Sequence, residues 1–246
     1  YEELIQKIAF TRSYPVIWRS YNHDMTQAAA YARRLFPERD IDAGAYPAKI
    51  LRVIEQLRVA GVADWGSLIS SVDTKDALLA FIEESDVSFE AFIDMLHYLL
   101  RWAFPFQTAS RELLNYEDPQ EMAHYEVLKQ HKLMKSFDLL EQGHTPSGRE
   151  ILAERTGLPL TFVTDIVHRA DIVRLPYVRR KTLIPVRGAG YDTLAKIAGA
   201  DPGQMQADLD AYLRREKGKT WENYQAVIAI KGMVTAAQAL PAILEG

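Results

Sequence analysis

Apolar residues recur at spacings of three and four along most of this chain and hardly ever alternate, a period that belongs to helices and leaves little for strands. Phe89, Phe92, Ile93, Leu96, Leu99 and Leu100 share one face of a single helix. Ser88 and Glu90 suit its start, because a hydroxyl accepts from the free backbone donors there and a carboxylate matches the positive helix end. The same reasoning predicts helices near 1–12, 24–36, 46–60, 74–84, 119–141, 147–155, 160–171, 203–215 and 221–237. Stops between them come from proline and glycine, with Pro15, Pro37, Pro105, Pro119, Pro146, Pro159, Pro176, Pro185 and Pro202 among them. The expected fold is all-α.

A chain of 246 residues has room for two modest domains, and we divide it into an N-terminal helical domain over 1–118 and a C-terminal one over 119–246. Two segments echo each other. Arg58-Val-Ala-Gly61, followed by Trp65 and Leu68, resembles Arg187-Gly-Ala-Gly190, followed by Leu194 and Ile197, at an offset of 129. Ser88-Phe-Glu-Ala-Phe92 resembles Thr220-Trp-Glu-Asn-Tyr224 at an offset of 132. The echo reads either as a diverged duplication of one helical unit or as the common chemistry of helix starts. As a duplication, each copy holds a short helix, a glycine turn and two longer helices.

Charge changes the picture by being uneven. Residues 1–130 carry 13 Lys and Arg against 20 Asp and Glu, and residues 131–246 carry 16 against 13, so halves of −7 and +3 sum to the net −4. Between Arg169 and Arg187 six cations, Arg169, Arg174, Arg179, Arg180, Lys181 and Arg187, meet the single acid Asp171. Such a cluster at a hinge neutralises phosphates or pairs with acids of a partner protein. Tyr177 stands among these cations, placed either to stack on a base or to pack. We expect the hinge to stay outside, a cationic elbow on stacked helical hairpins. A sequence pI near 5.9 argues against a wholly basic nucleic-acid binder.

Catalytic chemistry finds no anchor. There is no cysteine, which removes disulfides, thiolate metal sites and a cysteine nucleophile. No Gly-x-Ser-x-Gly elbow occurs, and Arg187-Gly-Ala-Gly190 lacks the residues that complete either nucleotide loop. Asp94-x-x-His97, Glu121-x-x-His124 and Asp165-x-x-His168 put an acid and a histidine on one helix face, the form of half a dinuclear metal site. Their plainer reading is helix-surface pairs, so no catalytic residue, metal or cofactor is expected. Tyr14, Trp18, Tyr21, Tyr31 and Phe36 form either a partner surface or simply core. No apolar run reaches membrane-spanning length and no signal-peptide pattern appears, so a cytoplasmic protein without membrane insertion is expected. The sequence opens on Tyr1 rather than Met, which leads us to expect a preceding segment.

TPSGREILAERTGLP from Thr145, HRADIVRLPYV from His168 and AGYDTLAKIAGADPGQM from Ala189 together resemble a bacterial family, domain of unknown function 4332, over about Lys132 to Leu240. The resemblance implies paired helix-hairpin-helix-like units. It implies no enzyme chemistry. The hinge Leu175-Pro-Tyr-Val-Arg-Arg180 departs from that pattern by lacking the glycines that let backbone N–H groups approach a phosphate, and Pro185 is expected to delay or shorten the following helix. The function expected is a non-catalytic interaction or scaffold module binding a protein partner, with weak sequence-independent contact to double-stranded nucleic acid as the alternative.

Overall fold

Side-chain oxygens begin most of the long helices, since the first backbone N–H groups of a helix have no partner within it. In the computed structural model, which describes residues 1–36, 46–224 and 229–245, Asp24, Asp64, Thr74, Ser88, Asp118, Thr145, Thr193 and Asp201 each accept from a backbone N–H two or three residues on. The described residues hold sixteen α-helices and no strand, so the protein is all-α. Among them no helix is long and apolar enough to cross a membrane. Pro37, and the part of the expected 221–237 helix that falls on 225–228, lie outside the described residues.

Two compact units divide the chain at Pro105. In the first, Tyr1–Pro105, the helices are α1 Glu2–Phe10, α2 Pro15–Tyr21, α3 Met25–Leu35, α4 Tyr46–Val59, α5 Trp65–Ser71, α6 Lys75–Glu84 and α7 Phe89–Tyr98, the last continued by one wider π turn over Leu99–Ala103. Pro15 opens α2 instead of ending a helix, because at the first helical position its missing N–H costs nothing. Tyr21 and Tyr31 are fully buried, the Tyr31 hydroxyl donates to the Trp102 carbonyl, and Trp18 stacks on Phe104. Tyr21 and Tyr31 therefore supply core, while Tyr14, Trp18 and Phe36 are half-buried. Of the expected apolar face Phe92, Leu96 and Leu99 are fully buried, Ile93 and Leu100 are half-buried, and Phe89 at the helix start is 53% exposed; Met95 joins the buried set.

The second unit, Phe106–Gly246, contains α8 Pro119–Gln130, α9 Ser136–Gly143, α10 Pro146–Thr156, α11 Leu160–Ile172, α12 Arg180–Gly188, α13 Leu194–Ala198, α14 Pro202–Lys217, α15 Trp221–Tyr224 and α16 Ile230–Ala239. Residues 106–118, assigned on the sequence to the first domain, fold with this unit. The Ser110 N–H donates to the Met134 carbonyl, the Ser136 N–H to the Thr108 carbonyl, and the Leu113 carbonyl accepts from Arg169. The helix expected over 119–141 is two helices, α8 and α9, meeting at a turn around Lys132, which adopts a left-handed φ of 59°. No glycine or proline advertises that stop. Pro185 does not delay α12, which starts at Arg180 and runs for nine residues with the proline buried inside it.

One joint recurs three times. After α4, α8 and α12 the chain takes positive φ at Gly61, Lys132 and Gly190. The following N–H then reaches back five residues, Val62 to Leu57 at 3.0 Å, Leu133 to Leu128 at 2.9 Å and Tyr191 to Val186 at 3.1 Å. This is the glycine-favouring helix ending that satisfies two orphan carbonyls. Each time the next helix starts four residues after the left-handed one, at Trp65, Ser136 and Leu194. The 129-residue echo thus pairs the first and third joints. Between the first and second, helix starts repeat at a constant spacing of 71: Trp65 with Ser136, Lys75 with Pro146, and Phe89 with Leu160.

Candidate functional site

The cationic cluster divides into an inward and an outward set. Arg169 lies on α11, one turn beyond Asp165 and facing Glu121 of α8, and it keeps 4% of its surface exposed. Its Nη1 and Nη2 donate to the two Glu121 oxygens at 2.7 and 2.6 Å, Nε and Nη2 donate to Asp165 Oδ2 at 2.9 and 2.6 Å, and Nη1 also reaches the Leu113 carbonyl. Arg187 on α12 closes the set by pairing with the other Asp165 oxygen. Arg174, just beyond α11 and 3% exposed, pairs with Asp171 at 2.5 Å and donates to the Pro241 carbonyl at 3.0 Å. Four buried or half-buried charges, two of each sign, thus tie α8, α11 and α12 together.

Burial by itself raises the Glu121 pKa. The Arg169 hydrogen bonds, the Asn115 N–H and the charges of Arg169 and Arg187 outweigh it and hold the carboxyl below its ordinary value. For Arg169, burial works against the charge, and its bonds to Glu121 and Asp165 prevail to push it up. These arginines belong to the interior. The expectation that the whole elbow lies outside is corrected for Arg169, Arg174 and, in large part, Arg187, because Asp165 and Asp171 on α11 and Glu121 on α8 draw them in.

Arg179, Arg180, Lys181 and Tyr177 take the other side. Tyr177 adopts a left-handed φ of 64° and is 41% exposed. The Arg179 guanidinium lies 5.5 Å from the centre of the exposed Phe106 ring. Arg180 stacks on Tyr116 at 3.8 Å, and Arg111 approaches the same ring at 4.9 Å. The ammonium of the exposed Lys181 lies 5.3 Å from the Tyr224 ring. Glu112 takes a hydrogen bond from the Tyr116 hydroxyl and lies 4.0 Å from Arg180 Nε. Burial of Tyr116, then the Glu112 bond, raises the phenol's pKa, so it stays a protonated donor at neutral pH.

Phe106, Arg111, Glu112 and Tyr116 were not anticipated. They precede the hinge by 59 to 69 residues, and only the tertiary fold brings them to it. In physical terms the surface sets guanidiniums against aromatic rings, Arg179 half-buried and donating to the Val178 carbonyl, with burial lowering its pKa, and Arg180 half-buried over Tyr116.

The acid–histidine pairs do not converge on a metal site. Glu121 and Asp165 are occupied by arginines, and no group of three or more His, Asp or Glu suited to a metal ion occurs among the described residues. His168 lines an open cleft with Asp165, Thr164 and Thr193, and burial lowers its pKa.

Residues 122–240 match the model of the family described as a domain of unknown function, DUF4332, a match that begins ten residues before Lys132, where the sequence resemblance starts. No curated protein and no solved structure matches the chain.

Proposed function

We propose that the segment matching DUF4332, with the strand of residues leading into it, is a non-catalytic helical interaction module, and that the outward side of the α11–α12 joint meets a partner protein. The observation that carries this reading is the contrast within one cluster. Arg169 and Arg174 are buried and paired with acids, whereas the half-buried Arg179 and Arg180 and the exposed Lys181 lie against aromatic rings. Guanidiniums resting on rings have already lost much of their side-chain freedom, which lowers the ordering cost of a contact. The three recurring joints and the constant 71-residue spacing support a framework of repeated helix-hairpin-helix-like units, a diverged duplication. The absence of cysteine suits a cytoplasmic setting.

A decisive experiment compares host proteins retained by the wild-type chain and by Arg179→Glu/Arg180→Glu at moderate salt. The proposal requires a complex that the double variant loses. A partner kept equally by both removes this surface from the account.

Weak binding to double-stranded nucleic acid is the second reading, favoured by three consecutive cations, Arg179 to Lys181. Duplex anisotropy titrations at two salt concentrations test it. The salt slope should fall by about one for each phosphate contact removed.

A further inference from the structure

The outward surface also indicates the chemistry of its partner. Residues 106–116 and 177–181 contribute Arg111, Arg179, Arg180 and Lys181 but one acid, Glu112. Arg111 and Arg180 share the Tyr116 ring, which leaves that ring poorly placed to stack on a base. A stacked guanidinium presents its N–H fork in plane, and that fork matches a carboxylate with two parallel hydrogen bonds. Glu112 already shows a carboxylate lodged here, hydrogen-bonded by the Tyr116 hydroxyl and near Arg180.

A phosphate backbone suits the surface less well. The second unit carries 18 Lys and Arg against 18 Asp and Glu, so no long-range positive field gathers a polyanion. Four cations match a few carboxylates. Phe106 and Tyr177, residues 43% and 41% exposed, add apolar area beside them.

We infer that this surface docks a short acidic segment of a partner protein, its carboxylates on Arg111, Arg179 and Arg180 and an apolar side chain of the segment against Phe106 or Tyr177. The inference rests on the interaction-module reading and adds the partner's chemistry.

The test is fluorescence anisotropy of the full chain with two labelled probes, a ten-residue peptide repeating Glu-Leu-Glu-Glu-Phe and a twelve-nucleotide oligothymidylate. The peptide should bind saturably and more tightly than the oligonucleotide. Arg180→Ala and Arg111→Ala should each weaken it about tenfold, and Arg180→Lys, which keeps the charge and loses the fork, by an intermediate factor. Unchanged circular dichroism and unfolding midpoints will show that the variants fold.

No peptide binding, equal binding by the variants, or tighter binding of the oligonucleotide overturns the inference. If the peptide fails while Arg179→Glu/Arg180→Glu still loses the host complex, the acidic chemistry falls and the module reading stands. If the host complex also survives the charge reversal, both fall.

Discussion

Replacing Arg169 by methionine keeps most of its bulk and removes its charge from a site where only 4% of the side chain reaches solvent. Five hydrogen bonds are lost, four of them to carboxylates at 2.6–2.9 Å and one to the Leu113 carbonyl. Glu121 and Asp165 are then stranded with a single cation, Arg187, between them. Breaking a buried ion pair from one side costs about 3–5 kcal/mol. Glu121 retains the Asn115 N–H at 2.7 Å and Asp165 retains Arg187, so the lower end, about 3 kcal/mol, is expected. Hydrogen exchange read on α11 peptides measures this locally. At roughly 1.4 kcal/mol per tenfold, amides of Leu160–Ile172 that open with the second unit should exchange about a hundredfold faster. Adding Glu121→Leu removes the stranded carboxylate as well, so the double variant should be at least about 1 kcal/mol better than the sum of the singles. An Arg169→Met change below about 1 kcal/mol, or strict additivity, would refute the claim that this network holds the three helices together.

Lys132→Gly should stabilise the chain by about 0.5–1 kcal/mol, because glycine takes the left-handed conformation freely, and urea unfolding will show it. Gly190→Ala should cost about 1 kcal/mol in the same assay through φ strain alone, since nothing lies within 4 Å of the added methyl. Acid should weaken the second unit through Glu121. Its folded pKa lies below the ordinary 4.5, so its stabilisation is fully present above that value and fades as pH falls through the folded pKa. Glu121→Gln should therefore be less stable at pH 7 and lose less between pH 5 and pH 3, as followed by circular dichroism.

Helical class and most helix positions were legible because they rest on local periodicity and capping residues. The Phe92, Leu96 and Leu99 face and the cap at Ser88 are visible in a dozen residues. The α8–α9 break was not, since Lys132 occupies a position that glycine normally marks. Short helices such as α5 and α13 escaped because five to seven residues hold too few apolar repeats. At the elbow, sequence identified the cations without their direction. Whether an arginine points inward depends on acids 4 to 48 positions away, as with Asp165 and Glu121 for Arg169, and on rings such as Phe106 that no local pattern connects to Arg179.

Arginine footprinting of the folded chain with phenylglyoxal, read by mass spectrometry, tests the division of the elbow most directly. Arg111 and Arg180 should react readily, while Arg169 and Arg174 should react only after denaturation. Comparable rates at all four in the folded protein would contradict the separation of inward and outward charge on which the proposed interface stands.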